Sequence, residues 1–302
     1  MSAESYRILE DAVVQFLRTV ATTLPDDVLA ALKRAYEEEE DPLARKIYET
    51  YLENVRIAEE RGVPLCQDTG AVMFFLRAGT EFPYLHLIPR ALTEGTRRAT
   101  FEVPLRHNCA DPFTKRNTGD NVGTGIPFID VELLPDEDHL EIYCYLAGGG
   151  TSLPGRAKVL TPAEFEGYAG LLEFVIETMK RYAPNACPPQ VVGIGIGTTA
   201  ETAALLSKKA LLREIGSRNP RKEVAELENL LKERLNNLRL GPQGLGGKIS
   251  VLDVFVEYSF THPATRGIAI NLGCWAHRKG LMTVNSDLSF SIPSHSRRKV
   301  EV

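Results

Sequence analysis

Apolar positions along this chain change rhythm twice. Over the N-terminal stretch they recur three and four residues apart, and residues 1 to about 62 read as three helices. In the third, Asp41 can cap the start and Pro42 suits the first helical position. Leu43, Ile47, Tyr51, Val55 and Ala58 follow at helical spacing and predict one apolar face, which Leu52 widens. Gly62 and Pro64 end it.

From residue 71 the rhythm shortens. Residues 71–77 (AVMFFLR) read as a buried strand and 87–103 as a helix. Residues 126–134 and 140–147 alternate as strands around an acidic turn, PDEDH, which predicts a hairpin. Thr161-Pro162-Ala163-Glu164 is a capping box that opens a helix to about Tyr182. Residues 190–197 (QVVGIGIG) are strand-like, and helices follow near 199–215 and, highly charged and expected at the surface, at 220–239. Strands return near 249–257, 267–272 and 281–291. No repeat or linker divides the chain, so residues 1–302 read as one mixed α/β domain, a helical N-terminal layer on a mixed sheet.

Charge narrows the function classes. The formal net charge is −5, which gives no global basic field for nucleic acid or anionic membrane. An anionic substrate then needs a local cluster of cations. The N-terminus has acidic residues where a signal peptide has basic ones, and no apolar run reaches a membrane span. A cytoplasmic location is expected.

The five cysteines are scattered and odd in number, which argues against a disulfide framework. Cys66 (PLCQDTG), Cys187 (NACPP) and Cys274 (NLGCWAHRKG) stand at element ends, where sites are usually built. Cys144 alternates with Leu140, Ile142 and Leu146 and reads as a core residue; Cys109, in RHNCADP, reads either way. No C-x-x-C pair gives a zinc spacing. Two phosphate-like motifs fail. GIGIGTTAE has Thr198 where a dinucleotide fingerprint needs its third glycine, and reads instead as a tight strand-to-helix turn. GPQGLGGK has Ile249 after its lysine, so Lys248 reads as a surface residue.

At PLCQDTG the chain resembles the class I, iron–sulfur-dependent fumarase family. PLRHN, NTGDN, AGGGTSLPGRAKVLTPAE, NACPP, GIGIG, LGPQGLGG, HPATRGIAIN and GCWAHRKG look like its segments, in order, from about residue 25 to 300. AGGGTSLPGR and CWAHRKG look like the tartrate-dehydrating α subunits of that family, while Gly247-Lys248 looks fumarase-like. The resemblance implies the N-terminal catalytic fold of the class I enzymes and a hydro-lyase acting on L(+)-tartrate, with fumarate hydration as the alternative. A non-catalytic iron–sulfur protein is a more distant one.

It also implies a [4Fe–4S] cluster on Cys66, Cys187 and Cys274, with one iron left open as a Lewis acid. The matching substrate positions are Gln67, Arg106, Gly149, Gly150 and His262, with Asp68 as the proton-transfer group. The residue types suit those roles: Arg106 is a fork for a carboxylate, glycines bring backbone N–H groups to an anion, and Asp68 stands two residues from Cys66. Arg116, Asn117, Asp120 and Asn121 are expected to shape a nearby loop. Single-chain members of the family continue past the GCWAHRKG segment. The resemblance therefore implies a separate β subunit and an α2β2 assembly whose α–α contact brings His262 to a neighbouring site. His295, Arg297, Arg298 and Lys299 are expected to form a solvated basic tail.

Overall fold

The computed structural model describes residues 3–297. The N-terminal helices are α1 (Ala3–Thr22), α2 (Asp26–Glu38) and α3 (Pro42–Arg61). Next come β1 (Ala71–Gly79), α4 (Ile88–Glu102), β2 (Phe128–Leu134) and β3 (Leu140–Ala147). The middle holds α5 (Gly149–Ser152), β4 (Arg156–Leu160), α6 (Pro162–Phe165), α7 (Ala169–Tyr182), β5 (Gln190–Gly197), α8 (Ala200–Ala210) and α9 (Lys222–Asn236). The chain then runs through β6 (Val251–Tyr258), β7 (Arg266–Gly273), β8 (Lys279–Val284) and β9 (Phe290–Ser291). No helix among the described residues is long and apolar enough to cross a membrane.

Two compact units share these elements: among the described residues, 3–26, 54–148 and 278–297 make one, and 27–53 and 149–277 the other. The first unit is built on a sheet of order β2-β1-β3-β8-β9. Val72, Phe74 and Leu76 of β1 and Leu140, Ile142, Cys144 and Leu146 of β3 alternate onto one face, as period-two patterning requires. That face packs against Phe16, Leu17 and Val20 of α1 and Leu92 and Ala99 of α4. Gly95 lets α4 close on Val13, and Gly280 leaves room for the Phe16 ring.

The second unit has a sheet of order β4-β7-β5-β6. Val192 and Ile194 of β5 face a core with Val175 of α7 and Leu231 of α9. On the opposite face Gly193 and Gly195 meet the α8 backbone: a side chain on Gly193 would strike the Ser207 carbonyl, and one on Gly195 the Ala203 carbonyl. GIGIG is thus a surface that lets a helix lie directly on a strand, in keeping with the tight turn expected there.

Several expectations need correction. β2 and β3 do not form a hairpin: β1 lies between them, parallel to β2 and antiparallel to β3. Alternation marks a strand but not its neighbour, and the earlier apolar strand takes the central place. The helix from Thr161 breaks at Gly167 and Tyr168, both with positive φ, although the Thr161–Glu164 capping box forms. On α3 the buried line is Ala44, Tyr48, Tyr51, Val55 and Ala58, and Leu43 is exposed. Tyr51, Val55 and Ala58 are buried as expected, and only in the first turns does the line shift by one residue, about 100° of rotation, from Leu43 and Ile47 to Ala44 and Tyr48. α9 is not all surface, because Leu227, Glu228, Leu231 and Leu235 are buried. His295 is no part of a solvated tail: it is 1% exposed, its ring between the Ser294 hydroxyl and the Thr23 carbonyl. Arg297 pairs with Asp26 at 2.6 Å. Arg298 and Lys299 lie outside the described residues.

Candidate active site

In the first unit, α3 ends at Arg61 and Gly62 turns the chain with φ +62°. Leu65 is then pinned on both sides, its N–H donating to Ala21 and its carbonyl accepting from Asn54. That anchor fixes the entry to Cys66, which is half-buried, and to Gln67, which is exposed. Gly70 closes the loop at φ +87°; a Cβ there would stand 2.8–2.9 Å from the backbone of Leu146 and Ala147. Only glycine serves such a position without strain.

Asp68 is held from three directions. Its Oδ1 accepts from the Gly70 N–H at 3.1 Å and from Asn108 Nδ2 at 3.0 Å. Its carbonyl accepts from Arg278 at 2.7 Å. Arg278 is only 3% exposed, so an apparently surface-type residue is a buried strut for the loop. Arg106 comes to the same loop through its backbone: its carbonyl accepts from Thr69 Oγ1 at 3.4 Å and Asn121 Nδ2 at 3.0 Å. Its side chain is exposed. Asn121 is buried with φ +57°, a conformation asparagine tolerates, and its Oδ1 accepts from the Asn108 N–H. Asp120 pairs with Arg97 and Asn117 donates to the His107 carbonyl, the loop-shaping roles expected of them. Cys109 is buried, its Sγ packed on Gly123. Cys144 is fully buried, and burial pushes its thiol far above its ordinary pKa.

The second unit brings Cys187 and Cys274 to one place. Cys187 sits in the left-handed region, φ 50° and ψ 69°, at the end of the turn 183–186. A non-glycine residue there carries about 1–2 kcal/mol of strain, which its surroundings must hold. The Trp275 N–H donates to the Cys187 carbonyl at 3.1 Å, tying the segment that follows β7 to the one that precedes β5. Both cysteines are half-buried. Tyr51 lies beside them: burial drives its phenol well above the usual range, and Cys187 and Cys274 push the same way against a hydrogen bond with Gln243.

Gly149 and Gly150 are exposed, and a Cβ on Gly150 would stand 3.1 Å from the Asn185 carbonyl, so the glycines lie against the turn that leads to Cys187. Arg156 ties these parts together. It donates to the Leu153 and Gly155 carbonyls, and its guanidinium sits 4.0 Å over the Tyr182 ring. His262 is elsewhere. It is exposed in the β6–β7 connection, at the opposite end of β7 from Cys274. At ~3.3 Å per residue that strand spans about 23 Å. His262 Nδ1 accepts from the Ala264 N–H, which leaves the proton on Nε2 as an outward donor.

Sequence reasoning missed Asn108, Arg278, Tyr51 and Arg156. Arg278 and Arg156 lie inside motif segments, but nothing in a motif tells a buried strut from a surface charge. Among the described residues no group of three or more His, Cys, Asp or Glu side chains closes round a metal ion. The donor chemistry still suits an iron–sulfur group. Cys66, Cys187 and Cys274 are half-buried thiols at loop ends, in no disulfide, while Cys109 and Cys144 are packed away.

The L(+)-tartrate dehydratase subunit alpha of Escherichia coli (strain K12) is 46% identical over 289 residues, covering 96% of this chain and 95% of its own length. The Shigella boydii serotype 4 (strain Sb227) protein of the same name matches to the same extent. A Methanocaldococcus jannaschii relative is 42% identical over 282 residues, 92% of this chain and 98% of its own. The family model described as "Fumarate hydratase (Fumerase)" matches residues 10–283. That match takes in both units, the Cys66–Gly70 and Arg106–Asn121 loops and the Cys187 and Cys274 segments, and on it the chain belongs to the fumarate hydratase (Fumerase) family.

Proposed function

We propose that this chain is the iron–sulfur-binding α subunit of a hydro-lyase that dehydrates L(+)-tartrate to oxaloacetate. The hydro-lyase class follows from the family. The observation that carries the substrate is the end-to-end likeness to proteins named L(+)-tartrate dehydratase subunit alpha, 96% of this chain against 95% of theirs. Their name also supports a separate β subunit here, which we place in an α2β2 assembly.

Cys66, Cys187 and Cys274 would hold the cluster. When bound, a [4Fe–4S] cluster with three cysteine ligands supplies an open iron as a Lewis acid for the substrate hydroxyl. The chain's own residues bind the substrate and hold one of the two protons that move. Asp68 exchanges the proton at the departing hydroxyl, its carboxylate aimed by Gly70 and Asn108 and its backbone by Arg278. Arg106, its backbone fixed and its guanidinium exposed, takes one carboxylate as a two-pronged donor. Gln67 and the N–H groups of Gly149 and Gly150 bind the remaining oxygens. His262, remote from Cys274 along β7, donates Nε2–H to a carboxylate held by a neighbouring copy. The hydroxide leaves as water with the proton Asp68 supplies, the proton on the next carbon goes to a base that we assign to the β subunit, and the enol left behind tautomerises to the keto acid.

Fumarate hydration is the second reading. Its sequence support, Lys248, is exposed, with its N–H on Glu39 and its ammonium on the Glu38 carbonyl, a surface role. The test is an assay of the anaerobically reconstituted chain, co-expressed with its partner, on L-tartrate, D-tartrate, fumarate, malate and mesaconate. Preference for L-tartrate, with oxaloacetate as product, is expected; preference for fumarate and malate overturns the substrate assignment.

A further inference from the structure

The segment at Cys187 poses a problem of anchoring. Pro188 and Pro189 have no N–H, so residues 188 and 189 can be held through the backbone only by their carbonyls. Cys187 itself stands in a left-handed conformation that does not persist unsupported. The Cys187 carbonyl accepts from the Trp275 N–H, and the Pro188 carbonyl accepts from the Tyr51 hydroxyl and from the Gln243 N–H, each at 3.0 Å. Trp275 is the residue after Cys274. Its indole stacks on the Tyr51 ring, centroids 4.2 Å apart and planes 7° from parallel. Tyr48 meets the Tyr51 ring edge-on, centroids 6.1 Å apart and planes 88° from parallel.

These contacts close a circuit. It runs from Tyr51 through the stacked ring to Trp275, through the Trp275 N–H to Cys187, and from the next carbonyl back to the Tyr51 hydroxyl. Tyr51 is 4% exposed and rides on α3, a helix of 20 residues that does not belong to either cysteine segment. Packing alone asks for a ring here; the hydroxyl on the Pro188 carbonyl asks for tyrosine.

We infer that Tyr51 is a positioning residue that sets Cys187 and Cys274 relative to one another, its ring fixing the Cys274–Trp275 turn and its hydroxyl fixing the carbonyl that follows Cys187. The inference rests on the reading that these two thiols hold a cluster, and its test begins without one. In the full-length apo chain, alkylation of each cysteine is followed by mass spectrometry for wild type, Tyr51→Phe and Tyr51→Leu. Tyr51→Leu is expected to speed alkylation of Cys187 and Cys274 severalfold and to leave Cys66 unchanged. Trp275 is the single tryptophan of the chain, and its emission shifts to longer wavelength as the stack is lost. Tyr51→Phe keeps the stack, so it restores Cys274 and the emission but leaves Cys187 faster than wild type.

Equal acceleration of all three thiols means general loosening and overturns the inference, as does no change at any of them. If Tyr51→Leu does not fold, Tyr51→Phe decides alone: an unchanged Cys187 rate rejects the hydroxyl's role. Anaerobic reconstitution then separates the two claims. Wild type that takes up no iron or sulfide refutes the cluster reading whatever the alkylation result. Given uptake, faster loss of visible absorbance in air for Tyr51→Leu than for Tyr51→Phe is expected, and equal rates count against the brace.

Discussion

Asp68 lends itself to a clean substitution. An asparagine keeps an Oδ1 that can accept from Gly70 and Asn108, so Asp68→Asn alters the proton chemistry and little of the loop. We expect kcat on L-tartrate to fall about a hundredfold or more with KM little changed, since proton transfer acts mainly in the transition state. An unchanged kcat removes Asp68 from that role. Arg106→Ala is expected to raise KM about tenfold or more, the scale of a lost hydrogen bond to a charged group, with iron per chain unchanged. The groups proposed to meet cofactor or substrate were singled out in the sequence by the family resemblance, and their residue types suit those roles. Their supports were not legible. Arg278 looked like one more cation in AHRKG, and Tyr51 like one more apolar position on a helix, because burial and hydrogen-bond partners belong to the folded chain.

Elements were legible one at a time. Rhythm located nearly every helix and strand, and the capping box at Thr161 predicted a real N-terminus. It could not say that β1 would part β2 from β3, because neighbour order is a tertiary choice. Nor did it show the break at Gly167, which only the backbone conformation reveals. The strongest element-level consequence lies at β5. Gly195→Ala would drive a methyl group into the Ala203 carbonyl, forcing α8 off its strand. We expect a loss of about 3 kcal/mol, at the upper end for overpacking, read as a lower urea midpoint with unchanged slope. A variant as stable as wild type contradicts the close-packing account. At α3, Asp41 Oδ1 accepts from the Ala44 N–H, so Asp41→Ala is expected to cost about 1 kcal/mol in the same measurement.

At the scale of the molecule, a buried carboxylate and a half-buried one tie stability to pH. Burial pushes the Asp253 carboxyl up, but Arg218, Lys232 and the Gly216 N–H outweigh it and hold it below its ordinary value. Asp26 is likewise pushed up by burial and brought down further by Ser296 and Arg297. A depressed carboxyl contributes stability that is present above its unfolded pKa of ~3.9 and lost as pH falls through the lower folded value. The thermal midpoint is therefore expected to drop below about pH 4. In Asp253→Asn the midpoint at neutral pH is lower and the acid decline shallower; an unchanged acid limb speaks against this account.

The division of the chain into interleaved segments also sets an order of events during synthesis. The unit that contains the N-terminus cannot be finished early, because β8, which covers the free edge of β3, and β9 beyond it are made of residues 279–291. The other unit has all of its residues by 277. At ~5–20 residues per second, the ribosome holds a chain whose β3 edge is bare for roughly 0.4–1.4 s after the second unit is complete, the time to make the seven residues up to Val284. A bare edge strand recruits other strands, so a message cut or stalled before the codons for β8 yields a product that aggregates although the cysteine segments at 187 and 274 have already been made.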